Sequence, residues 1–491
     1  MSAEVQDRRV DIEGISISTD HFIGGKRVSS PNTFEVRSPL DWDWKLADVA
    51  RGDAATAAAA IEAAQQGFDV WSRMSPAERG QIMNNLADRI EANIEKIATI
   101  ECLDMAMLLE SLKLRVIPRA AVNFRAYADL AAEYQERVWD SKGTHNTVIR
   151  MPAGPAVIIT PWNAPFMLST WKCAPALAAG NSVILKPAEW SPLSLSLLAD
   201  WINGAGFPPG AFNIVQGIGS ELGPCLTGDP RVKRVSFTGS PATARHIGHA
   251  AAENIVPFTA ELGGKGALVV FADADIDAAA QKASNQFHDS GQVCLAGTRI
   301  LVEESIRDEF LHKLTMYTEK QIQGDSRDPA TTLSPAIHPN HLKNVEAYVD
   351  NARNRGDRIV FGGQRWKKDG LWYEPTLIEP KSNDSEVVQN EIFGPVLTIQ
   401  TFTDEAEAIS MANSTAYGLS GIIYTSDAER AERVGRAVRA GTVWVNTFLI
   451  RDLTAPFGGI GISGIGREGG HYALEFHCDL KTLQILEDSV H

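Results

Sequence analysis

The sequence predicts an α/β fold with two domains, each built on a parallel sheet, and the spacing of apolar runs supports this prediction. Short apolar runs occur at 156–160, 182–186, 212–215, 234–237 and 267–271, with helical segments between them. A second series of such runs, again separated by helical segments, extends from about 298 to 450. Near-continuous apolar runs are typical of strands buried on both faces, and their alternation with helices indicates βαβ units. We place the break between the two domains near Gly263-Gly264.

An N-terminal helical region precedes the first sheet. Asp53 is a suitable N-cap for an alanine-rich segment that favours helix. Ser75-Pro76-Ala77-Glu78 is a capping box with proline at the first helical position, so a second helix should begin there. Helix is expected through about residue 133, with an interruption at Pro118. This region should pack on the first sheet.

Two segments find no partner in either predicted sheet. Residues 131–150 and 480–486 have the pattern of amphipathic strands. Unpaired strand edges are often covered by another subunit, which would make the protein a homo-oligomer. The alternative is an intramolecular hairpin, and the sequence leaves both possibilities open.

Composition and charge exclude several classes of protein. The chain has 491 residues and a formal net charge of −15. An acidic chain without a dense block of Lys and Arg repels phosphate backbones and anionic lipids, so we expect neither nucleic acid nor a membrane as partner. The N-terminus lacks an apolar signal segment, and no apolar run is long enough to span a bilayer. We therefore expect a cytoplasmic protein.

The cysteines are the first candidates for chemistry. There are 5 of them, widely spaced and without a C-x-x-C pair, which argues against disulfides and a zinc site and favours a reducing compartment. Cys294 stands apart because it follows the Gly291-Gln292 turn, where backbone amides can position an exposed thiol. A free cysteine is more often buried and inert, so Cys294 needs a neighbour that lowers its pKa or removes its proton.

Glu261 and Asn163 are the neighbours that the first sheet would supply. Glu261 ends a strand beside two glycines and can project into the crevice where open α/β sheets bind ligands. A carboxylate there can deprotonate a thiol or a water molecule. Asn163 lies in a proline-stiffened loop directly after strand 156–160 and can donate to a developing oxyanion. The simpler alternatives are a surface salt bridge for Glu261 and a turn residue for Asn163.

Two further strand ends suit a dinucleotide. Lys186 ends the second strand, and Glu189 follows where a carboxylate commonly accepts hydrogen bonds from a ribose diol. Gly239 and Ser240 follow another strand and open a helix, whose N-terminus suits a pyrophosphate. The G-x-G-x-x-G fingerprint is absent after the first strand, so each of these patterns is weak alone.

Together these segments resemble the aldehyde dehydrogenase superfamily over nearly the whole chain. The matching motifs, in order, are PWN (161–163), KPAE (186–189), FTGS (237–240), ELGGK (261–265), GQVC (291–294), EIFGPV (391–396), PFGG (456–459) and SGIGRE (463–468). The resemblance implies an aldehyde dehydrogenase-like α/β fold with three parts. These are a Rossmann-type NAD-binding domain (1–130 and 151–262), an α/β catalytic domain (263–477) and a small β oligomerisation element (131–150 and 478–491).

The resemblance also implies a role for each matching residue. Cys294 would attack the aldehyde carbon, Asn163 would stabilise the oxyanion, and Glu261 would activate the water that hydrolyses the thioester. NAD would be the cofactor, and the mechanism requires no metal. The residues expected at the cofactor are Thr160, Pro161, Trp162, Lys186, Glu189, Gly239, Ser240, Leu262, Glu391 and Phe393. Because the family assembles as dimers or dimers of dimers, a homodimer or homotetramer is expected.

Two positions depart from the family pattern. Ala244 stands where a glycine is usual in the helix after Gly239, and its methyl group is expected to widen the packing of that helix slightly. Gly461 stands where a lysine is usual after the PFGG motif. We expect the first change to leave function intact.

A narrower resemblance concerns the substrate. The segments around Arg119, Trp171 and Arg451 look like the hydroxymuconic semialdehyde dehydrogenases, which act in the meta-cleavage of catechols. By motif, Arg119 and Arg451 would bind a substrate carboxylate, and guanidinium groups bind carboxylates bidentately. Ordinary salt bridges are the alternative for both arginines.

Other functions stay open at this point. A general aromatic or aliphatic aldehyde dehydrogenase would oxidise uncharged aldehydes as fast as charged ones. An acylating dehydrogenase would pass the acyl group to coenzyme A, but a water-activating Glu261 would waste the thioester. A nucleotide-binding scaffold without turnover is disfavoured, because Cys294, Glu261 and Asn163 occur together.

Overall fold

The computed structural model describes residues 7–367 and 369–486. Within them the chain forms two large, mainly parallel sheets covered by helices, and a small antiparallel sheet. The predicted α/β class is therefore confirmed. Two short antiparallel pairs lie near the N-terminus: Arg9–Ile12 with Ile15–Ser18, and Thr33–Ser38 with Asp41–Ala50.

The first sheet has eight strands, and its five central strands are parallel. In order across the sheet they are Gly464–Ile465, Phe258–Glu261, Arg234–Thr238, Ala156–Ile159, Val183–Lys186, Phe212–Ile214, His21–Ile23 and Lys26–Val28. Chain order reverses beside Ala156–Ile159, because the next two parallel strands lie on one side of it and the following two on the other. At such a switch point a ligand crevice opens at the carboxyl ends of the strands.

Helices cover both faces of this sheet. Alternate strand residues pack into different hydrophobic clusters, Ile158 and Leu185 into one and Val157 and Ile184 into the other. The helices of this part of the chain are Ala54–Trp71, Pro76–Glu91, Ile94–Met105, Leu109–Ser111, Ile117–Ala132, Pro165–Ala178, Leu193–Ala205, Gly219–Thr227 and Pro241–Glu253. The N-terminal helical region thus packs on the first sheet, as expected.

The predicted helix starts are confirmed, whereas the interruption at Pro118 is wrong. The Asp53 side chain accepts the N–H of Thr56, and Ser75 and Glu78 form the reciprocal capping box. The π-helical turn Leu112–Val116 leads directly into helix Ile117–Ala132. Pro118 lies in the first turn of that helix, where its missing N–H has no intrahelical acceptor to lose.

The second sheet has seven strands, and six of them are parallel. In order they are Arg358–Phe361, Thr376–Glu379, Val396–Phe402, Arg299–Glu303, Ala267–Val270, Ser420–Tyr424 and Thr442–Val445; the first is antiparallel. Its α-helices are Ile276–Ser284, Arg307–Glu319, Pro339–Arg355, Glu386–Gln389, Glu405–Ala412 and Ala428–Ala437. Short 3₁₀ segments occur at Asn285–Gly291, Glu304–Ile306 and Gly461–Ser463.

The two segments that find no partner in either large sheet form a small sheet of their own. Strand Arg137–Ser141 forms a hairpin with Thr144–Pro152, and Cys478–Leu486 pairs antiparallel with the same central strand. The hairpin alternative is thus confirmed for 131–150, with the C-terminal strand added as a third. Residues 487–491 of the expected oligomerisation element lie outside the described residues.

The chain returns to the first sheet near its C-terminal end. Strand Gly464–Ile465 pairs with the last residues of Phe258–Glu261, and helix Gly470–Phe476 packs on helix Pro165–Ala178. Residues 464–476 therefore lie beside the first sheet, although they were expected in the second domain. Among the described residues, no helix has both the length and the apolar character needed to cross a bilayer.

Candidate active site

The candidate catalytic residues meet at the carboxyl edge of the first sheet. Glu261 is the last residue of its strand, and Asn163 lies in the loop after Ala156–Ile159. Cys294 reaches the same crevice from the chain that leads into the second sheet. Its backbone carbonyl lies so close to Gly264 that any side chain at 264 would collide with it. The crevice thus lies where the two large units meet.

A tight turn positions Cys294. The segment Asn285–Gly291 ends at Gly291, which has φ of +65°. A side chain at Gly291 would also collide with the carbonyl of Gly394. Glycine is needed here for both its left-handed backbone and its lack of volume.

Gln292 fixes this turn and connects it to Asn163. Gln292 is buried, and its side-chain partners are the carbonyls of Asp289 and Pro335 and the backbone N–H of Ile337. The Asn163 amide donates to the backbone carbonyl of Gln292 at 2.9 Å. The sequence-predicted amide and thiol therefore lie on directly connected segments.

The surroundings of Cys294 keep its thiol protonated. Burial, and after it the nearby carboxyl groups of Glu391 and Glu261, raise the pKa of Cys294 to about 12. The guanidinium of Arg451 acts in the opposite direction. At neutral pH the thiol consequently needs a base, or more positive charge, to become a nucleophile.

Glu261 can be that base. Its side chain is buried, and neither carboxyl oxygen has a hydrogen-bond partner among the described residues. Burial raises the pKa of Glu261 well above its ordinary value, and repulsion from Glu468 adds to the effect. A carboxyl group with a raised pKa accepts a proton more readily once it is ionised.

A buried ion pair beside Glu261 escaped the sequence reasoning. Lys172 pairs with Glu468, and Trp171 donates its indole N–H to the same carboxylate at 2.5 Å. Glu468 ends the SGIGRE motif, but only the return of the chain to the first sheet brings it close to Glu261. Glu468 is a charged residue inside a motif that matches the family, and this was the feature of the sequence that could have pointed to the ion pair.

Lys186 and Glu189 lie together at the end of their strand. The Lys186 ammonium is buried and lies 3.2 Å from the Glu189 carboxylate, and it also donates to the carbonyl of Pro187. The Glu189 side chain is 30% exposed, so part of its carboxylate can receive a ligand. Gly219, the first residue of helix Gly219–Thr227, lies against both side chains: a Cβ there would be 3.5 Å from the Glu189 carboxylate and 3.6 Å from the Lys186 ammonium.

Gly239 and Ser240 open helix Pro241–Glu253 directly after strand Arg234–Thr238. The Ser240 hydroxyl accepts the N–H of Thr243 at 3.2 Å and is the N-cap of the helix. The remaining N–H groups of the first turn can bind an anion.

Thr160 and Leu262 each form a hydrogen bond with another residue of the chain. The Thr160 hydroxyl is buried against the hydroxyl of Ser169 at 2.8 Å, and Pro161 follows in the loop. The backbone N–H of Leu262 donates to the carbonyl of Ser463 at 2.9 Å. Both residues line the carboxyl edge of the first sheet mainly through their backbones.

An aromatic cluster stands beside the crevice. Phe393 has φ of +57°, and its carbonyl is bound by the ring of His341 at 2.8 Å. Trp162 contacts Phe393 edge-on, with ring centroids 5.3 Å apart. Glu391 accepts the N–H of Gly264 at 2.9 Å, and burial raises its pKa to about 7. Phe393, Trp162 and Glu391 thus share one wall, to which His341 contributes although no sequence motif indicated it.

The two arginines converge on one tryptophan. The guanidinium carbons of Arg119 and Arg451 lie 5.7 and 5.4 Å from the ring centroid of Trp171. Arg451 also lies over Phe457 at 3.7 Å. Burial and the charge of Arg119 lower the pKa of Arg451, while the Cys294 thiol acts the other way. Arg451 therefore borders the candidate nucleophile, and Arg119 lies against the same tryptophan as Arg451.

Comparison with known proteins decides the family. The model described as the aldehyde dehydrogenase family matches residues 27–483 of the chain. This chain belongs to the aldehyde dehydrogenase family. The enzyme is 39% identical to 2-hydroxymuconic semialdehyde dehydrogenase of Pseudomonas sp. (strain CF600), over 94% of the chain and 98% of the relative. It is 38% identical to betaine aldehyde dehydrogenase of Bacillus subtilis (strain 168), over 94% of the chain and 96% of the relative.

Solved structures support the same conclusion for the fold. Betaine aldehyde dehydrogenase from Staphylococcus aureus in complex with NAD⁺ superposes with a TM-score of 0.94 at 36% identity. The match covers 97% of this aldehyde dehydrogenase and 96% of that chain. The predicted family and its fold are confirmed.

The two departures from the family pattern have simple structural settings in this aldehyde dehydrogenase. Ala244 is buried in the cluster that contains Phe237 and Leu262, so its methyl group fills core space. Gly461 has φ of +60°, and a side chain there would collide with the carbonyl of Ala416. Residue 461 therefore has a left-handed backbone conformation that a lysine would not readily adopt.

Proposed function

We propose that this enzyme oxidises a semialdehyde that carries a carboxylate, such as a 2-hydroxymuconic-type semialdehyde from aromatic catabolism, with NAD⁺ as hydride acceptor. The arginine pair is the observation that carries the proposal. Neither Arg119 nor Arg451 forms an ion pair with any described residue; both lie against Trp171, and Arg451 lies near Cys294. Two partly buried cations repel each other, and a bound carboxylate would offset that repulsion.

The relatives differ in the charge of the substrates that their names state. The Pseudomonas relative is named for a semialdehyde with a carboxylate, whereas the Bacillus relative is named for betaine aldehyde, which is a cation. Two unpaired arginines would repel a quaternary ammonium group and attract a carboxylate. Charge complementarity therefore favours the first substrate class.

The residues fit NAD⁺ at the carboxyl edge of the first sheet. Glu189 has carboxylate surface left for a ribose diol after its contact with Lys186. The same carboxylate would repel a 2′-phosphate, so NAD⁺ should be preferred over its phosphorylated form. Gly239 and Ser240 would present a helix N-terminus to the pyrophosphate, and Glu391 and Phe393 would border the nicotinamide.

Each catalytic step has a candidate group among the described residues. Glu261 accepts the thiol proton of Cys294 and passes it to solvent, and the sulfur adds to the aldehyde carbon. The aldehyde oxygen becomes an oxyanion, which Asn163 and the Cys294 N–H stabilise. Bound NAD⁺ would supply the hydride acceptor, and loss of a hydride from the former aldehyde carbon would leave a thioester on Cys294. Glu261 removes a proton from the water that attacks the thioester, which releases the acid and the free thiol.

The test compares a carboxylated with an uncharged aldehyde. NADH formation is measured with 2-hydroxymuconic semialdehyde and with benzaldehyde, for wild type and for the Arg119→Ala/Arg451→Ala double variant. We expect wild type to prefer the carboxylated substrate, and the double variant to lose roughly 10²-fold or more in kcat/KM for it alone, because two charge-assisted contacts disappear. Arg125→Ala, on the same helix but ion-paired with Asp88 and Glu91 at the surface, is the matched control.

Equal oxidation of benzaldehyde by wild type, with an unchanged double variant, would contradict the substrate proposal. The enzyme would then be a general aldehyde dehydrogenase, and the arginines would be structural.

A further inference from the structure

We infer that Asn123 is a positioning residue that sets the substrate preference of this enzyme by orienting Arg119. The inference rests on the proposed function, since it concerns one half of the arginine pair. Asn123 and Arg119 lie one turn apart on helix Ile117–Ala132, so their side chains share one helix face.

The hydrogen bonds of Asn123 fix the direction of its amide. Asn123 is fully buried. Its Nδ2 donates to the hydroxyl of Thr170 at 3.0 Å and to the carbonyl of Met167 at 3.3 Å. Thr170 in turn donates its own proton to Met167 at 2.9 Å, so its oxygen is free to accept. The amide oxygen of Asn123 therefore has to face Arg119, and it accepts the Nε–H of that residue at 3.2 Å.

The bond from Nε to Asn123 leaves the terminal nitrogens of Arg119 free to bind a ligand. Nε is occupied, whereas the two terminal nitrogens have no hydrogen-bond partner among the described residues. Those two nitrogens can bind a carboxylate end-on. Without the bond to Asn123, the long side chain would lose its order and would have to be fixed by the substrate itself.

The neutrality of Asn123 matters as much as its geometry. An aspartate of the same shape would form a buried ion pair with Arg119 and cancel the charge that attracts the substrate. The nearest acidic neighbour, Asp452, is exposed, and its carboxylate accepts the N–H and the hydroxyl of Thr454. Asp452 offsets part of the charge of Arg119 but forms no ion pair with it among the described residues, and the guanidinium lies against Trp171.

Asn123→Asp tests this inference, because it places a negative charge beside Arg119 in a side chain of the same shape; it also removes the two bonds that Nδ2 donates, a loss that the control variant below reproduces. We expect the ratio of kcat/KM values for 2-hydroxymuconic semialdehyde and benzaldehyde to fall about tenfold to a hundredfold, mainly through KM for the carboxylated substrate. In an Arg119→Ala background the same substitution should have no further effect on the ratio, since Asn123 acts through Arg119. Asn213→Asp, at another fully buried amide that binds only backbone groups, is the matched control.

The outcomes separate this inference from the proposed function. If Arg119→Ala leaves the ratio unchanged, the arginine pair does not bind the substrate and the proposed function fails. If Arg119→Ala lowers the ratio but Asn123→Asp does not, only the role of Asn123 is wrong. Equal losses on both substrates, or losses that persist without Arg119, would make Asn123 a packing residue. Should the aspartate variant not fold, Thr170→Val removes the nearer of the two acceptors that orient Asn123, and it should lower the same ratio.

Discussion

At the scale of single residues, the reactivity of Cys294 depends on opposing charges. Burial and the carboxyl groups of Glu391 and Glu261 raise the pKa of the thiol, while Arg451 lowers it. Arg451 therefore has two effects in the proposed function: it attracts the substrate carboxylate and it favours the thiolate.

Arg451→Ala should make Cys294 less reactive even without substrate. Loss of a nearby positive charge raises the pKa of the thiol, so the thiolate fraction at any given pH falls. We expect the rate of alkylation by iodoacetamide at pH 8 to drop about threefold to tenfold, and the pH profile of alkylation to move to higher pH. Arg125→Ala should leave both unchanged, and an unchanged profile in Arg451→Ala would show that the charge does not reach the sulfur.

At the scale of elements, two of the helices in the first unit that begin without a side-chain cap of their own receive an acceptor from another helix. The N-cap positions of Pro165–Ala178 and Leu193–Ala205 are Ala164 and Pro192, which offer no side-chain acceptor.

Helix Ile94–Met105 supplies the missing acceptors for both helix starts. Glu101 accepts the N–H of Phe166 at 3.2 Å, and Asp104 accepts that of Leu193 at 2.7 Å. These buried carboxyls tie three helices together near the catalytic loop.

Glu101→Gln should stabilise the enzyme progressively as pH rises. Burial raises the pKa of Glu101 to about 8, so the folded state keeps a proton that the unfolded state loses above its ordinary value of 4.5. The free energy of unfolding of wild type therefore falls as pH rises from about 4.5 to 8. In the variant, the glutamine amide still accepts the N–H of Phe166 and does not titrate. We expect the variant to gain roughly 1–3 kcal/mol in free energy of unfolding at pH 8 relative to pH 5.

Urea unfolding at the two pH values measures this difference. Glu62→Gln, at an exposed position of the first long helix, is the control and should show no pH-dependent gain. A gain that is equal at both pH values would contradict the explanation from titration.

At the scale of the whole molecule, the small sheet presents an apolar strand to the surroundings. Leu480, Leu483 and Ile485 are exposed by 63%, 43% and 37% on strand Cys478–Leu486. Exposed apolar strands of this kind are usually covered by another chain. We therefore keep the homodimer or homotetramer as a prediction.

Leu480→Glu should shift the enzyme to a smaller species, because it places a charge in the expected interface. Light scattering after size exclusion gives the masses of variant and wild type. Ile255→Glu, at a residue 91% exposed beyond the end of helix Pro241–Glu253, should not change the mass. A monomeric wild type would refute the prediction outright.

The sequence by itself determined the α/β class, the helix starts at Asp53 and Ser75, and the family, since these depend on local patterns and ordered motifs. It also named Cys294, Glu261, Asn163 and the two arginines as candidates.

Only the tertiary structure decided what depends on distant segments meeting. The partner of strand Cys478–Leu486 lies more than 300 positions earlier in the chain, and the approach of Glu468 and Lys172 to Glu261 requires the chain to return to the first sheet. The convergence of Arg119 and Arg451 on Trp171 likewise joins three remote segments. Local propensity carries no information about such contacts, because burial and pairing are settled by the packing of the whole chain.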